Sequence, residues 1–227
     1  MEDMNETVET VPASVNITFT ELIYGTLFKP SETFRKVALA KPVFKCFLVF
    51  SGVILLNMLT GIILAPHSLA KGGLPANLAE VIGDILPFLA IIGAVFAYLN
   101  WVVLAGLFSL FAEFFTGQGS ALGIFSVMGL VELPRLATLP LQVIGAVSGK
   151  PFLASFFSIL AGFIYFIWWA VLIVIGIREA HSLTTGRAVA VVAAPVFLIA
   201  LALIVISIAG LGLMMPLLNV LNAGGIM

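Results

Sequence analysis

The stretch that most constrains this chain is the apolar segment from about Ala121 to Val147, which carries Glu132-Leu133-Pro134-Arg135 near its middle and Pro140 soon after. A bilayer crossing takes roughly 20 residues at about 1.5 Å rise each, so Glu132 falls close to the bilayer midplane. An ionised side chain there costs on the order of 2.5–3.5 kcal/mol. Each proline also lacks the amide that would reach the carbonyl four residues back, which frees those of Leu130 and Leu136. Hydrocarbon satisfies none of these groups, so neighbouring helices or a wet cavity must surround the segment. The other spans are expected to form its protein wall.

Composition agrees with a chain built for lipid. Of 227 residues, 62% are hydrophobic and 9% charged, where a soluble domain carries about 25% charge. The net charge of −1 gives no basic surface for nucleic acid. The lone cysteine, Cys46, excludes an internal disulfide framework and a multi-cysteine metal site, and reads as a plain apolar residue.

In chain order, residues 1–15 are polar and expected to be disordered. Their acidic opening, with Glu2, Asp3, Glu6 and Glu9, is not a secretory n-region. Thr18 and Glu21 form a capping-box pattern, with Ile17 and Leu22 spaced as a hydrophobic staple. The helix they start presents Phe19, Leu22, Ile23 and Leu27 on one side and ends at Pro30. A second short helix, Ser31 to Ala40, places Phe34, Val37 and Ala38 opposite Glu32, Arg35 and Lys36. Residues 16–42 therefore read either as an interfacial segment on an anionic leaflet or as a helical cap on the bundle.

Residues 43–227 form the transmembrane part. Spans are expected over about Val43–Ala65, Ile85–Phe111, the broken segment, Pro151–Ile177 and Ala188–Ala209, the last bent or begun at Pro195. A Gly- and Leu-rich tail from Gly210 lies on the far interface or extends the last helix. Lys29, Arg35, Lys36, Lys41, Lys45, Arg178 and Arg187 fall on one side and only Lys71 and Lys150 on the other. The positive-inside rule then puts the N-terminus in the cytosol and the C-terminus outside. The expected fold is an all-α polytopic membrane bundle of five transmembrane helices with short N-terminal interfacial helices.

Two sets of residues are candidates for function. Glu132 and Arg135 are three apart on one helix and can pair. The pair is either architectural or lines a polar cavity for a proton, ion or headgroup, with Pro134, Asn100 and Gln142 as further members. The second set is a cytosolic surface formed by Pro30, Phe34 and Arg35, the turn at Gly117 and Gly119, the short loop Arg178-Glu179-Ala180-His181, and Arg187. Gly117-Gln118-Gly119 lacks the third glycine of a dinucleotide fingerprint and reads as a helix-breaking turn. His67 and His181 are the only histidines and fall on opposite sides. No nucleophile with a base at interpretable spacing is present, so neither catalysis nor a cofactor or metal is expected.

Three blocks resemble the Yip family of Ypt/Rab-interacting membrane proteins and their prokaryotic relatives. Gly25-Thr26-Leu27-Phe28-Lys29-Pro30-Ser31-Glu32-Thr33-Phe34 is similar to the family's Pro-x-x-Thr-Phe entry before the first span. Gly117-Gln118-Gly119-Ser120, with Pro134 fourteen residues later, resembles its Gly-rich turn feeding a proline-broken third span. Trp168, Gly176, Glu179-Ala180-His181-Ser182-Leu183-Thr184-Thr185-Gly186-Arg187-Ala188 and Pro195 resemble the family's connection between spans four and five. The resemblance implies a non-enzymatic five-helix membrane domain with a cytosolic N-terminus. Its partners would be membrane lipids and a protein or a second copy of the chain. The short region ahead of the first helix favours a prokaryotic plasma-membrane member. A small transporter or lipid-translocating protein using Glu132 and Arg135 is the alternative function.

Overall fold

The computed structural model describes residues 17–71 and 75–223, and the expected tail over residues 1–15 lies outside them. Eight helices run in order: α1 Phe19–Phe28, α2 Pro30–Ala40, α3 Val43–Lys71, α4 Ala76–Phe114, α5 Ala121–Leu130, α6 Pro134–Val147, α7 Pro151–His181 and α8 Thr185–Ala223. No strand occurs among the described residues. Five segments are long and apolar enough to cross a membrane: α3, α4, the α5–α6 pair, α7 and α8.

The local signals act as the residue chemistry requires. The Thr18 hydroxyl accepts from the Glu21 amide at 3.2 Å, while the Glu21 carboxylate accepts from the Thr18 amide at 2.8 Å. This reciprocal box starts α1, and Ile17 and Leu22 are both buried. Pro30 starts α2 at a position where its missing amide costs nothing. The face α1 buries is Leu22, Gly25 and Thr26, whereas Phe19 and Ile23 stay exposed. Gly25 decides this, because a Cβ there would strike the Thr33 side chain of α2. The two short helices pack on that edge.

Four helices outrun their expected ends: α3, which runs on past Ala65 to Lys71, α4, α7 and α8. α4 is one helix of 39 residues, about 58 Å long at 1.5 Å per residue, longer than a hydrocarbon core of about 30 Å. The expected loop at Arg178-Glu179-Ala180-His181 is instead the last turn of α7. Arg178 suits the negative end of the helix dipole there. Ser182 closes the helix in the left-handed region at φ 52°. α8 begins at Thr185 and passes through the buried Pro195, continuing into the Gly- and Leu-rich stretch as far as Ala223.

The broken third span is the centre of the molecule. Of its most apolar stretch, 61% is buried, against 11% for α4 and 22% for α7. Ile124, Val127, Leu130 and Val131 are fully enclosed. α5 contacts α2, α3, α4 and α7, and α6 lies along α7 and α3. In lipid the hydrophobic effect does not drive helices together, so this packing rests on close contact and hydrogen bonding. Gly129 shows the closeness: a Cβ there would lie 3.0 Å from the Cys46 carbonyl of α3.

Candidate functional site

The break between α5 and α6 is local in origin. Pro134 cannot donate to the Leu130 carbonyl, and the Leu133 amide takes that oxygen instead, at 3.1 Å. Arg135 bonds back to Glu132 and Leu136 to Leu133 with the same three-residue step, both at 3.0 Å. The chain thus tightens through Val131-Glu132-Leu133 without opening. A neighbouring helix or cavity is not needed for the Leu130 carbonyl, contrary to the expectation from sequence.

That tight turn aims Glu132 and Arg135 at one another and at α7. Arg135 Nη2 lies 3.2 Å from Glu132 Oε2, the expected ion pair. Tyr165 of α7 completes it: its hydroxyl donates to Glu132 Oε2 at 2.8 Å and accepts from Arg135 Nη2 at 3.2 Å. Its ring also lies beneath the guanidinium, 4.9 Å from Cζ to centroid. Tyr165 was missed by sequence reasoning. The signal for it was a phenol in the middle of the fourth span, near the depth of Glu132.

Other predicted members fall around this triad unevenly. Pro134 is buried at the start of α6. Thr138 donates to the Arg135 carbonyl at 2.7 Å and accepts from Gln142 Nε2 at 3.3 Å, so Gln142 joins through Thr138. Asn100 lines a cavity of about 170 Å³ that Glu132, Arg135 and Tyr165 also line. On the other side of Arg135 open two larger cavities, of about 640 and 480 Å³, that Glu132 does not line.

The second predicted set is brought together at the α1–α2 end, with two of its members inside the packing. Phe34 is fully buried, its ring 3.6 Å from where a Cβ on Gly176 would stand. His181 is also fully buried: its carbonyl accepts from the Gln118 amide at 3.1 Å, and its Nδ1 accepts from the Gly119 amide at 3.3 Å. These two belong to the packing and are corrected from the surface set. Gly117 and Gly119 are required by that close approach. A Cβ on Gly117 would sit 2.7 Å from the Ala112 carbonyl, and one on Gly119 would strike the Ala180 carbonyl.

Arg178 pairs with Glu179 at 2.6 Å and donates to Ser31 of α2 at 2.9 Å, while Arg187 donates to Thr116 at 2.8 Å. Arg178, Arg187 and the α1–α2 cations therefore share one end of the bundle, as expected. Pro30 is half-buried and Arg35 exposed there. No group of His, Cys, Asp and Glu able to hold a metal occurs among the described residues. The His67 side chain lies outside them.

A central span broken at a Glu–Pro–Arg turn, walled by four longer helices and closed at one end by two short ones, defines a polytopic α-helical membrane protein. The Yip1 domain family matches residues 24–207, from the second half of α1 through α2 and the first four spans to near the end of the fifth. The chain belongs to that family. No match was found among curated proteins or among solved structures.

Proposed function

We propose that this Yip1-domain protein acts without catalysis, organising membrane through an α1–α2 cap that lies along the cytoplasmic, anionic leaflet of a prokaryotic plasma membrane. The observation that carries the reading is the outward face of the cap. Lys29, Arg35 and Lys41 are exposed there beside Tyr24, Phe28, Leu39 and Phe44. The inward face is filled by Leu22, Phe34 and Val37. Apolar rings interleaved with cations suit a headgroup boundary, where each base near an anionic surface contributes about 1 kcal/mol. Lys36 adds less, since Glu32 holds it at 2.9 Å. The skew of Lys and Arg to this end supports a cytosolic N-terminus. A partner would meet Arg178 and Arg187 on the same side.

The test uses the full chain with Cys46→Ala and a nitroxide at Tyr24→Cys, reconstituted in bilayers with and without phosphatidylglycerol. The label should sit at headgroup depth, and deeper when the anionic lipid is present. The combined Lys29→Glu, Arg35→Glu and Lys41→Glu variant should lose that dependence. A label equally water-exposed in both bilayers would overturn the reading.

A further inference from the structure

The half of the bundle beyond Arg135 is not filled. The 640 Å³ and 480 Å³ cavities share Arg135, Asn57, Gly61 and Leu86, so they form one wedge between α3, α4, α6 and α7. A further space of about 400 Å³, reaching Leu69 and Ala79, shares Ala65, Leu69 and Leu86 with the first. The wedge thus extends from the triad toward the end of the bundle opposite α1 and α2. Small residues hold it open. A Cβ built on Gly61, Gly83, Gly93 or Gly162 meets nothing within 4 Å, so these glycines do not serve close helix packing.

The lining has a definite charge pattern. Among the described residues, Arg135 is the only charged one on the walls of the two larger cavities; the other polar groups there are neutral, among them Asn57, Thr138, Gln142 and Ser158. Glu132 lines only the smaller space on the far side. The Arg135 side chain is 36% exposed. Among the described residues its hydrogen bonds and its ion pair all use Nη2, so the other donors of its five-donor fork are left for a ligand in the spaces that Arg135 lines. Such a fork matches a phosphate's oxygens in pairs.

We propose that this wedge is a binding site for the singly charged phosphodiester of a phospholipid with a neutral, hydroxyl-bearing headgroup, and that Arg135 is its recognition cation. With Glu132 beside Arg135, a bound phosphodiester leaves a net charge of −1 and a doubly charged phosphate would leave −2, so the singly charged diester is the less costly anion. Among the described residues, a headgroup ammonium would find no carboxylate on the walls of the larger cavities, which disfavours zwitterionic lipids. Hydroxyls find Asn57, Thr138, Gln142 and Ser158. The site is independent of the α1–α2 cap, which meets lipid from the opposite end.

The experiment is lipid titration of the delipidated full-length protein by native mass spectrometry. The probes are phosphatidylglycerol, phosphatidylcholine and the soluble diester glycerophosphoglycerol. Phosphatidylglycerol should bind about tenfold more tightly than phosphatidylcholine. Competition by the soluble diester would support the same anion site with a water-borne source; its failure to compete would support the lipid source. Arg135→Gln alone strands a buried carboxylate and risks misfolding. The Glu132→Gln/Arg135→Gln variant keeps the shape without either charge and should lose the preference. Glu132→Gln alone should strengthen it several-fold, which a merely architectural pair would not do. An unchanged preference in the double variant, a weaker one in Glu132→Gln, or no bound phospholipid at all would overturn the proposal.

Discussion

The two halves of the bundle are built to opposite rules, and the Glu132–Arg135 turn lies on the boundary. Around α5 the space is filled: Phe34, Ile124, Val127 and His181 are enclosed, and Gly117, Gly119, Gly129 and Gly176 are places where a methyl group would press on a neighbour. On the Arg135 side of α6 it is hollow, and Gly61 of α3, Gly93 of α4 and Gly162 of α7 face open volume. One residue type serves contact in the first half and emptiness in the second. A membrane bundle can afford this asymmetry because packing, not exclusion of water, holds its helices together. A filled half gives rigidity, and a hollow half gives room for a ligand.

Glycine replacement should break or sustain this contrast most directly. Gly119→Ala puts a methyl group against the Ala180 carbonyl, and backbone at a helix end cannot step aside. We expect a loss of about 3 kcal/mol, typical of severe overpacking. Gly162→Ala meets nothing and should be neutral or stabilising by up to about 1 kcal/mol from helix propensity. Thermal unfolding in detergent measures both. Equal penalties would mean that the two halves are packed alike.

At the boundary, Tyr165→Phe removes the hydroxyl that donates to Glu132 and accepts from Arg135, while keeping the ring under the guanidinium. A hydrogen bond to a charged group contributes about 1.5–3 kcal/mol, and partial exposure of Arg135 places this one at the lower end. A loss near 1.5 kcal/mol on unfolding is expected. No change would show that water from the wedge replaces the phenol, moving the boundary into the hollow half.

How much of this was legible in the chain follows from the range of each signal. The capping box at Thr18 and Glu21 is a contact within four residues, and it formed as spelled. The Glu132–Arg135 pair is one helical turn, and it formed as well. Tyr165 is thirty residues from Arg135, and a uniformly apolar span gives no hint of which face it turns inward. Phe34 lies in a short amphipathic helix and His181 in a short charged segment, which read as surface; the fold buries both between elements distant in sequence. Nor does glycine spacing separate the filled half from the hollow one. Gly145 lies 3.2 Å from Phe157 when given a Cβ, whereas Gly149 serves only a left-handed turn at φ 71°.

The smallest effect probes the seal of the filled half. Glu21 Oε2 accepts from the Thr18 amide and hydroxyl at 2.8 and 2.9 Å, and these bonds hold its carboxyl below the ordinary value of 4.5. A carboxylate lowered by folding contributes stability that is fully present above its unfolded value. That contribution is lost as the pH falls through the folded value. The group is exposed, so solvent screening keeps the effect small and local. Acid should therefore fray the first turn of α1 while leaving α5, whose buried residues carry no ionisable group, unmoved. Amide exchange protection at Glu21 and Leu22, compared with that at Val127 and Leu130, reads this out across the acid range. In Glu21→Gln the fraying should lose its pH dependence. If acid loosens α5 together with α1, the cap is part of the filled half's support and not merely its cover.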